Sequence, residues 1–113
     1  MKLENAFEEK RSNPRQTASY MALLKVSDLL KGRGCTKDIS INGMLLQTYN
    51  LFKCIRSDRI QERVGSPIKI VFSEKALTLQ GKIVRINVLK GEVAIALRDV
   101  SNSQTWEALF LSQ

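Results

Sequence analysis

The sequence predicts a mainly β protein, with short strands closing toward a small antiparallel barrel and a helix ending the chain. Three observations carry this. The C-terminal half alternates apolar and polar residues in successive runs, "SPIKIVFSE", "ALTLQGKIVRINVL" and "KGEVAIALRDV", the period of half-buried strands. These runs follow one another at short spacing. Finally, "SQTWEALFLSQ" abandons alternation for a helical pattern, with Ser103 as its cap and Trp106, Leu109 and Phe110 able to cover a barrel end.

Taken in order, residues 1–17 read as a flexible, charged arm, and residues 18–113 as the folded domain. Within "KRSNPRQ", Pro14 pushes Asn13 toward extended backbone. In "ASYMALLKVSDLL" the local signals conflict. Asn13, Pro14 and Gln16 could start a helix, yet Tyr20, Ala22, Leu24 and Val26 alternate along one strand face. "KGRG" (31–34) predicts a tight turn whose glycines can take positive φ. "CTKDISINGMLLQTYN" reads as a strand, a break around Asn42-Gly43 and a second apolar run. "NLFKCIRSDRIQERV" predicts a short amphipathic helix in the 50–64 region, with Phe52, Ile55, Ile60 and Val64 roughly on one side. Beyond it, Ile68, Ile70 and Phe72 share a face, as do Leu77, Leu79, Gly81 and Ile83. Val93, Ile95 and Leu97 do the same after a Lys90-Gly91 turn.

At 113 residues, 43% of them hydrophobic, the chain suffices for one domain with a single core. No apolar run reaches membrane-span length and the first residues are charged, which predicts a cytoplasmic protein without membrane insertion. Two cysteines, Cys35 and Cys54, fit reduced thiols. Histidine is absent, which removes Ser-His-Asp and Cys-His catalysis and leaves no zinc spacing. Neither a phosphate loop nor a close carboxylate pair is present. The expectation is a binding protein, not an enzyme, with no metal and no cofactor. The net charge of +7 and pI near 9.7 favour an anionic partner.

Two short stretches carry the candidate chemistry. Arg11 and Arg15 sit four residues apart in the arm, and each guanidinium can meet a phosphate or the O6/N7 edge of guanine with two hydrogen bonds. "KDISINGM" (37–44) sets Asp38, Ser40 and Gly43 among apolar residues, a trio that a plain strand does not require. A carboxylate accepts from the N1–H and N2–H2 side of guanine. A serine hydroxyl donates to or accepts from a base or phosphate, and glycine permits close backbone approach or positive φ. The five residues together make sense as a site for a guanine nucleotide.

The same arrangement resembles the PilZ domain family, bacterial receptors for cyclic di-GMP. That family carries an Arg-x-x-x-Arg arm followed by an (Asp/Asn)-x-Ser-x-x-Gly segment. Here "RSNPR" (11–15) and "DISING" (38–43) match in that order, with 22 residues between them. A second Arg-x-x-x-Arg, "RIQER" (59–63), follows the other motif instead of preceding it and reads as a solvated helix face. The resemblance runs from about residue 8 to the C-terminal helix. It implies a six-stranded antiparallel barrel with a C-terminal helix, and it favours strand over helix at 18–30.

By the same resemblance Arg11 and Arg15 would bind guanine and phosphate, and Asp38, Ser40 and Gly43 would surround a guanine. Lys10, and Lys37 for its closeness in sequence to Asp38, are candidate additional contacts, the alternative for Lys37 being a charge that merely solvates the hairpin. The ligand would fold residues 10–16 onto the barrel and so act on a downstream protein, as family members do in motility, pili or exopolysaccharide output. One departure from the pattern is the long link after the second motif, "QTYNLFKCIRSDRIQERV". Two other readings stay open: a scaffold of this fold without ligand, and a basic small barrel binding single-stranded nucleic acid. The latter needs aromatic stacking platforms, and the chain has only seven aromatic residues.

Overall fold

Where alternation is strongest in the sequence, strands form with the apolar side inward. The computed structural model describes residues 15–16 and 19–111, the side chains of 15, 16, 110 and 111 excepted. Its strands are β1 (Arg15–Gln16), β2 (Met21–Lys25), β3 (Lys31–Ser40), β4 (Gly43–Tyr49), β5 (Pro67–Phe72), β6 (Leu77–Asn87) and β7 (Glu92–Val100). A helix, α1 (Ser103–Leu111), follows.

All pairings are antiparallel, in the order β3-β2-β5-β6-β7-β4, and β4 returns to β3, so six strands close a barrel. Closure leaves none of the six with an open edge. β1 lies beside β3 on the same edge as β2, in line with it.

The interior is filled by Ala22, Leu24, Ile39, Met44, Leu46, Ile68, Ile70, Phe72, Leu77, Leu79, Ile83, Ile86, Val93 and Ile95. Burying one such aliphatic side chain contributes about 1.5–3 kcal/mol before conformational entropy is charged against it. The alternation of residues 20–26 is thus resolved as strand. Ala22 and Leu24 are buried, with Tyr20 and Val26 packed at the margin. On β6 the inward set passes from Ile83 to Ile86, because a bulge between Ile83 and Arg85 shifts the parity.

Each barrel end has its own cover. At the end holding the β3–β4 and β5–β6 turns sits α1. Trp106 is 2% exposed, stacks on Phe72 with ring centroids 6.4 Å apart, and donates from Nε1 to the Ile41 carbonyl at 3.2 Å. Leu109 is buried beside it. The role expected of Phe110 falls on a side chain outside the described residues. At the opposite end the long link folds back across the opening, burying Leu51 and Ile60. Gln61 Nε2 donates to the Ile86 carbonyl at 2.9 Å and ties the link to β6.

Four local expectations are corrected. Residues 31–34 are not a turn but the start of β3, and the chain reverses at residues 26–30, where the Val26 amide bonds the Leu30 carbonyl. The glycines serve close approach instead: a Cβ on Gly32 would lie 2.8 Å from Leu51 Cα, where the link crosses. The helix of the 50–64 region is a 3-10 helix, Ser57–Arg63, preceded by turns, and Val64 is exposed instead of sharing the buried face of Ile60. The α1 cap is Asn102, whose Oδ1 accepts from the Thr105 amide at 3.0 Å, one residue before Ser103. Finally, positive φ occurs at Gly65 and Gly91 among the described glycines, not at Gly32, Gly34 or Gly43. The Lys90-Gly91 turn forms as expected.

Candidate functional site

β3 carries the second motif, and a bulge decides where its side chains point. Thr36 and Ile39 both face inward, at 2% and 0% exposure, although they stand three positions apart. The register against β4 shifts between Thr36 and Asp38, so Lys37 is the extra residue. Two consecutive residues, Lys37 and Asp38, therefore emerge on the outer surface, and Ser40 follows on that side after Ile39. Bulges re-aim side chains in this way beside binding sites. Thr36 anchors the arrangement from within: its hydroxyl accepts from the Tyr20 amide at 2.9 Å, and its own amide donates to the Tyr20 carbonyl at 3.0 Å.

The first motif reaches the same place through the backbone. Arg15 is the register partner of Ser40, and Gln16 that of Ile39. Residues separated by most of two strands in sequence thus become cross-strand neighbours, and this part of the expected arm belongs to the sheet. Arg11 and Lys10 lie outside the described residues, as does the side chain of Arg15.

Ser40 and Gly43 close the β3–β4 hairpin as its last register pair, with Ser40 Oγ 3.4 Å from the Gly43 carbonyl. Gly43 in turn pairs with Ala96 of β7. The connecting turn is held from two sides, by Trp106 on the Ile41 carbonyl and by the Leu97 amide on the Asn42 carbonyl at 2.8 Å. Gly43 has a structural reason that the sequence did not reveal. A Cβ there would stand 2.5 Å from the Ile95 carbonyl oxygen.

Lys37 turns toward Glu92 of β7, with Nζ 2.6 Å from Oε2. Sequence reasoning missed Glu92, and no local signal could have marked a partner 55 positions away. The hydrogen bond from Lys37, helped by the positive charges of Lys37, Lys90 and Arg85, holds the Glu92 carboxyl below its ordinary value against the opposing effect of burial. The same hydrogen bond, with the charge of Glu92, raises Lys37.

The sign follows from these directions. The stability the pair contributes is present above the ordinary carboxylate range, about pH 4.3, and is lost as pH falls through the lowered Glu92 value. At the alkaline end it is lost as pH rises through the raised Lys37 value. An NMR titration of the Glu92 carboxyl is expected to give a midpoint below the ordinary glutamate value, and a higher midpoint in a Lys37→Gln protein, which loses both the hydrogen bond and the charge of Lys37.

Among the described residues no group of three His, Cys, Asp or Glu side chains could hold a metal ion, and no helix is long and apolar enough to cross a membrane. "RIQER" lies on the 3-10 helix, where Arg59 bonds Glu62 at 3.3 Å and Gln61 is tied to the Ile86 carbonyl of β6.

No protein-family model and no curated protein matches the chain. Solved structures do. A small closed antiparallel barrel capped by a terminal helix defines the class. Within that class the chain superposes on the PilZ domain of CeSA from a cellulose-synthesizing bacterium with a TM-score of 0.60 and 19% identity, over 87% of this chain and 93% of that one. It superposes on MotI/DgrA, the Bacillus subtilis inhibitor of motility, with a TM-score of 0.58 and 9% identity, over 86% of this chain and 46% of that one. For K. pneumonia MrkH, whose structure is a complex with c-di-GMP, the TM-score is 0.59 at 14% identity, over 90% of this chain and 50% of that one. The chain spans about half the length of these last two proteins. Its fold is PilZ-like.

Proposed function

We propose that this protein is a non-enzymatic receptor for cyclic di-GMP, bound on the outer face of the barrel at the β3–β4 hairpin. The observation that carries the reading is the pairing of Arg15 with Ser40, which brings the two motifs to one place on the sheet. Arg11 and Arg15 supply forks of donors for guanine edges and phosphate. Asp38 supplies the acceptor for the N1–H and N2–H2 side of guanine, Ser40 a hydroxyl beside it, and Gly43 a turn position without a side chain. Lys37 is not among these groups, since Glu92 holds it.

The fold shared with MrkH, itself solved with c-di-GMP, supports the choice of ligand. The fold shared with an inhibitor of motility supports an output through another protein. Binding on a barrel's outer surface also suits a switch. A ligand held between the sheet and the preceding arm changes the surface that a downstream protein meets.

Calorimetric titration of the full chain with cyclic di-GMP, beside GMP, tests this. Binding in the micromolar range or tighter is expected, with no comparable binding of GMP. Arg15→Ala and Asp38→Ala each remove charge-assisted hydrogen bonds worth roughly 1.5–3 kcal/mol, so affinity falls by about ten- to a hundredfold in either variant. Titration without heat, and without a shift in melting temperature, would return "KDISINGM" to a polar hairpin in a scaffold. Affinity that ignores base identity and falls steeply with salt would instead favour single-stranded nucleic acid.

A further inference from the structure

We infer that the barrel end crossed by the long link is a peripheral docking surface for an anionic lipid bilayer, with Leu29 and Leu89 as its apolar tips. Among the described residues these are the most exposed of the large hydrophobic side chains, at 84% and 99%. Neither belongs to the core, and each stands on a turn whose backbone is tied. Leu29 lies in the β2–β3 turn, where the Leu30 amide donates to the Ser27 carbonyl at 3.1 Å and the Val26 amide to the Leu30 carbonyl at 2.8 Å. Leu30 is buried and takes the inward place, which leaves Leu29 outward. Leu89 lies at the tip of the β6–β7 hairpin. There the Lys90 amide meets Asn87 Oδ1 at 3.1 Å, and Gly91 turns the chain with a φ of 68°.

The two turns share one end of the barrel, and the strand order sets them on opposite sides of it. β2 and β3 are neighbours, β6 and β7 are neighbours, and β5 and β4 separate the two pairs on either flank. Half the circumference of six strands puts the tips roughly 10–15 Å apart, with the link crossing between them. Lysines stand close by each tip, Lys31 after the first and Lys90 after the second. The acidic residues of this end already face cations: Asp28 faces Lys25, Asp58 faces Arg56, Glu62 faces Arg59 and Glu92 faces Lys37. Lys31, Lys53, Arg85 and Lys90 are exposed and form no ion pair among the described residues. The end thus joins two apolar tips to a surplus of positive charge.

Separate leucine tips on opposite rims do not make the continuous patch of a protein interface, where each partner buries about 800 Å². They do fit a surface with no shape of its own. Leucines enter the boundary between headgroups and acyl chains, while the lysines beside them stay among the phosphates. The charge has the sign that anionic lipid attracts, and each Lys or Arg near such a surface strengthens binding about fivefold. No segment spans the bilayer in this contact. α1 and the β3–β4 hairpin lie at the far end of the barrel, so the docked protein turns its proposed ligand site toward solvent.

Sedimentation of the full chain with vesicles tests this, using phosphatidylcholine alone and phosphatidylcholine with about one third phosphatidylglycerol. Binding to the mixed vesicles only, weakened at high salt, is expected. The double variant Leu29→Ser with Leu89→Ser changes two exposed positions, so it is expected to keep the wild-type melting temperature and to bind about tenfold or more weakly. Leu89→Trp reports depth. Its emission is expected to shift to the blue on mixed vesicles and to be quenched by brominated acyl chains. Buried Trp106, at the far end, should give neither change in the wild-type chain. No binding to mixed vesicles at low salt overturns the inference. So does binding that the double variant leaves unchanged, which would be adsorption of a basic protein by charge alone. Self-association that the double variant abolishes, without vesicle binding, would assign the tips to a second copy and equally overturn it. Each of these outcomes is independent of cyclic di-GMP binding, so the receptor reading is tested separately.

Discussion

Trp106→Ala is expected to lower the stability of the protein by about 3–5 kcal/mol, the range for removing a buried large aromatic side chain. Trp106 is 2% exposed, its ring lies nearly parallel to that of Phe72 at an interplanar angle of 10°, and its indole N–H meets the Ile41 carbonyl. Alanine removes the packing, opens the barrel end to water and leaves that carbonyl without its indole donor. For a domain of this size each kcal/mol moves the melting temperature by roughly 3–6 °C, so thermal unfolding should occur about 10–30 °C lower. Trp106→Phe keeps the apolar contact and loses the hydrogen bond, and should fall between wild type and alanine. A loss below about 1 kcal/mol for alanine, by urea denaturation, would show that α1 is dispensable to the barrel.

The second large effect is at Gly43. Alanine there would place a methyl group 2.5 Å from the Ile95 carbonyl oxygen, and both atoms belong to the backbone framework of paired strands. Neither can move aside as a flexible side chain could, so β4 and β7 must separate locally. The cost is expected to be about 1–3 kcal/mol, typical of forcing extra volume into a packed region. Thermal unfolding without ligand isolates this contribution, since the ligand reading of Gly43 predicts no loss of stability there. Gly43→Ala protein as stable as wild type, yet weaker in cyclic di-GMP binding, would assign the glycine to the ligand alone. The structure predicts a measurable loss of stability first.

How much of the site could be read in advance differs from residue to residue. Asp38, Ser40 and Gly43 were legible because their spacing is local, and the strand that carries them presents them within a few residues. Arg15 was legible as a motif, but its position opposite Ser40 was not, since a register partner is set by how two strands meet. The outward direction of Asp38 depends on the bulge at Lys37, which exists only in relation to β4. Glu92 was invisible for the same reason.

By itself, the sequence determined the inward faces of β5 and β7 and of β6 as far as Ile83, the helical character of the C-terminal segment, the Lys90-Gly91 turn and the two motifs with their order. Each of these is written in a period or spacing of a few residues, and burial of apolar side chains rewards that period directly. Tertiary structure alone decided between helix and strand at residues 20–26, because Ala22 and Leu24 gain a buried face only once β3 and β5 lie alongside. It also decided that Gly32 yields to Leu51, Gly43 to Ile95, and Lys37 to Glu92. Those three depend on how closely distant backbones approach and which charges face each other across them, and a linear pattern contains neither quantity.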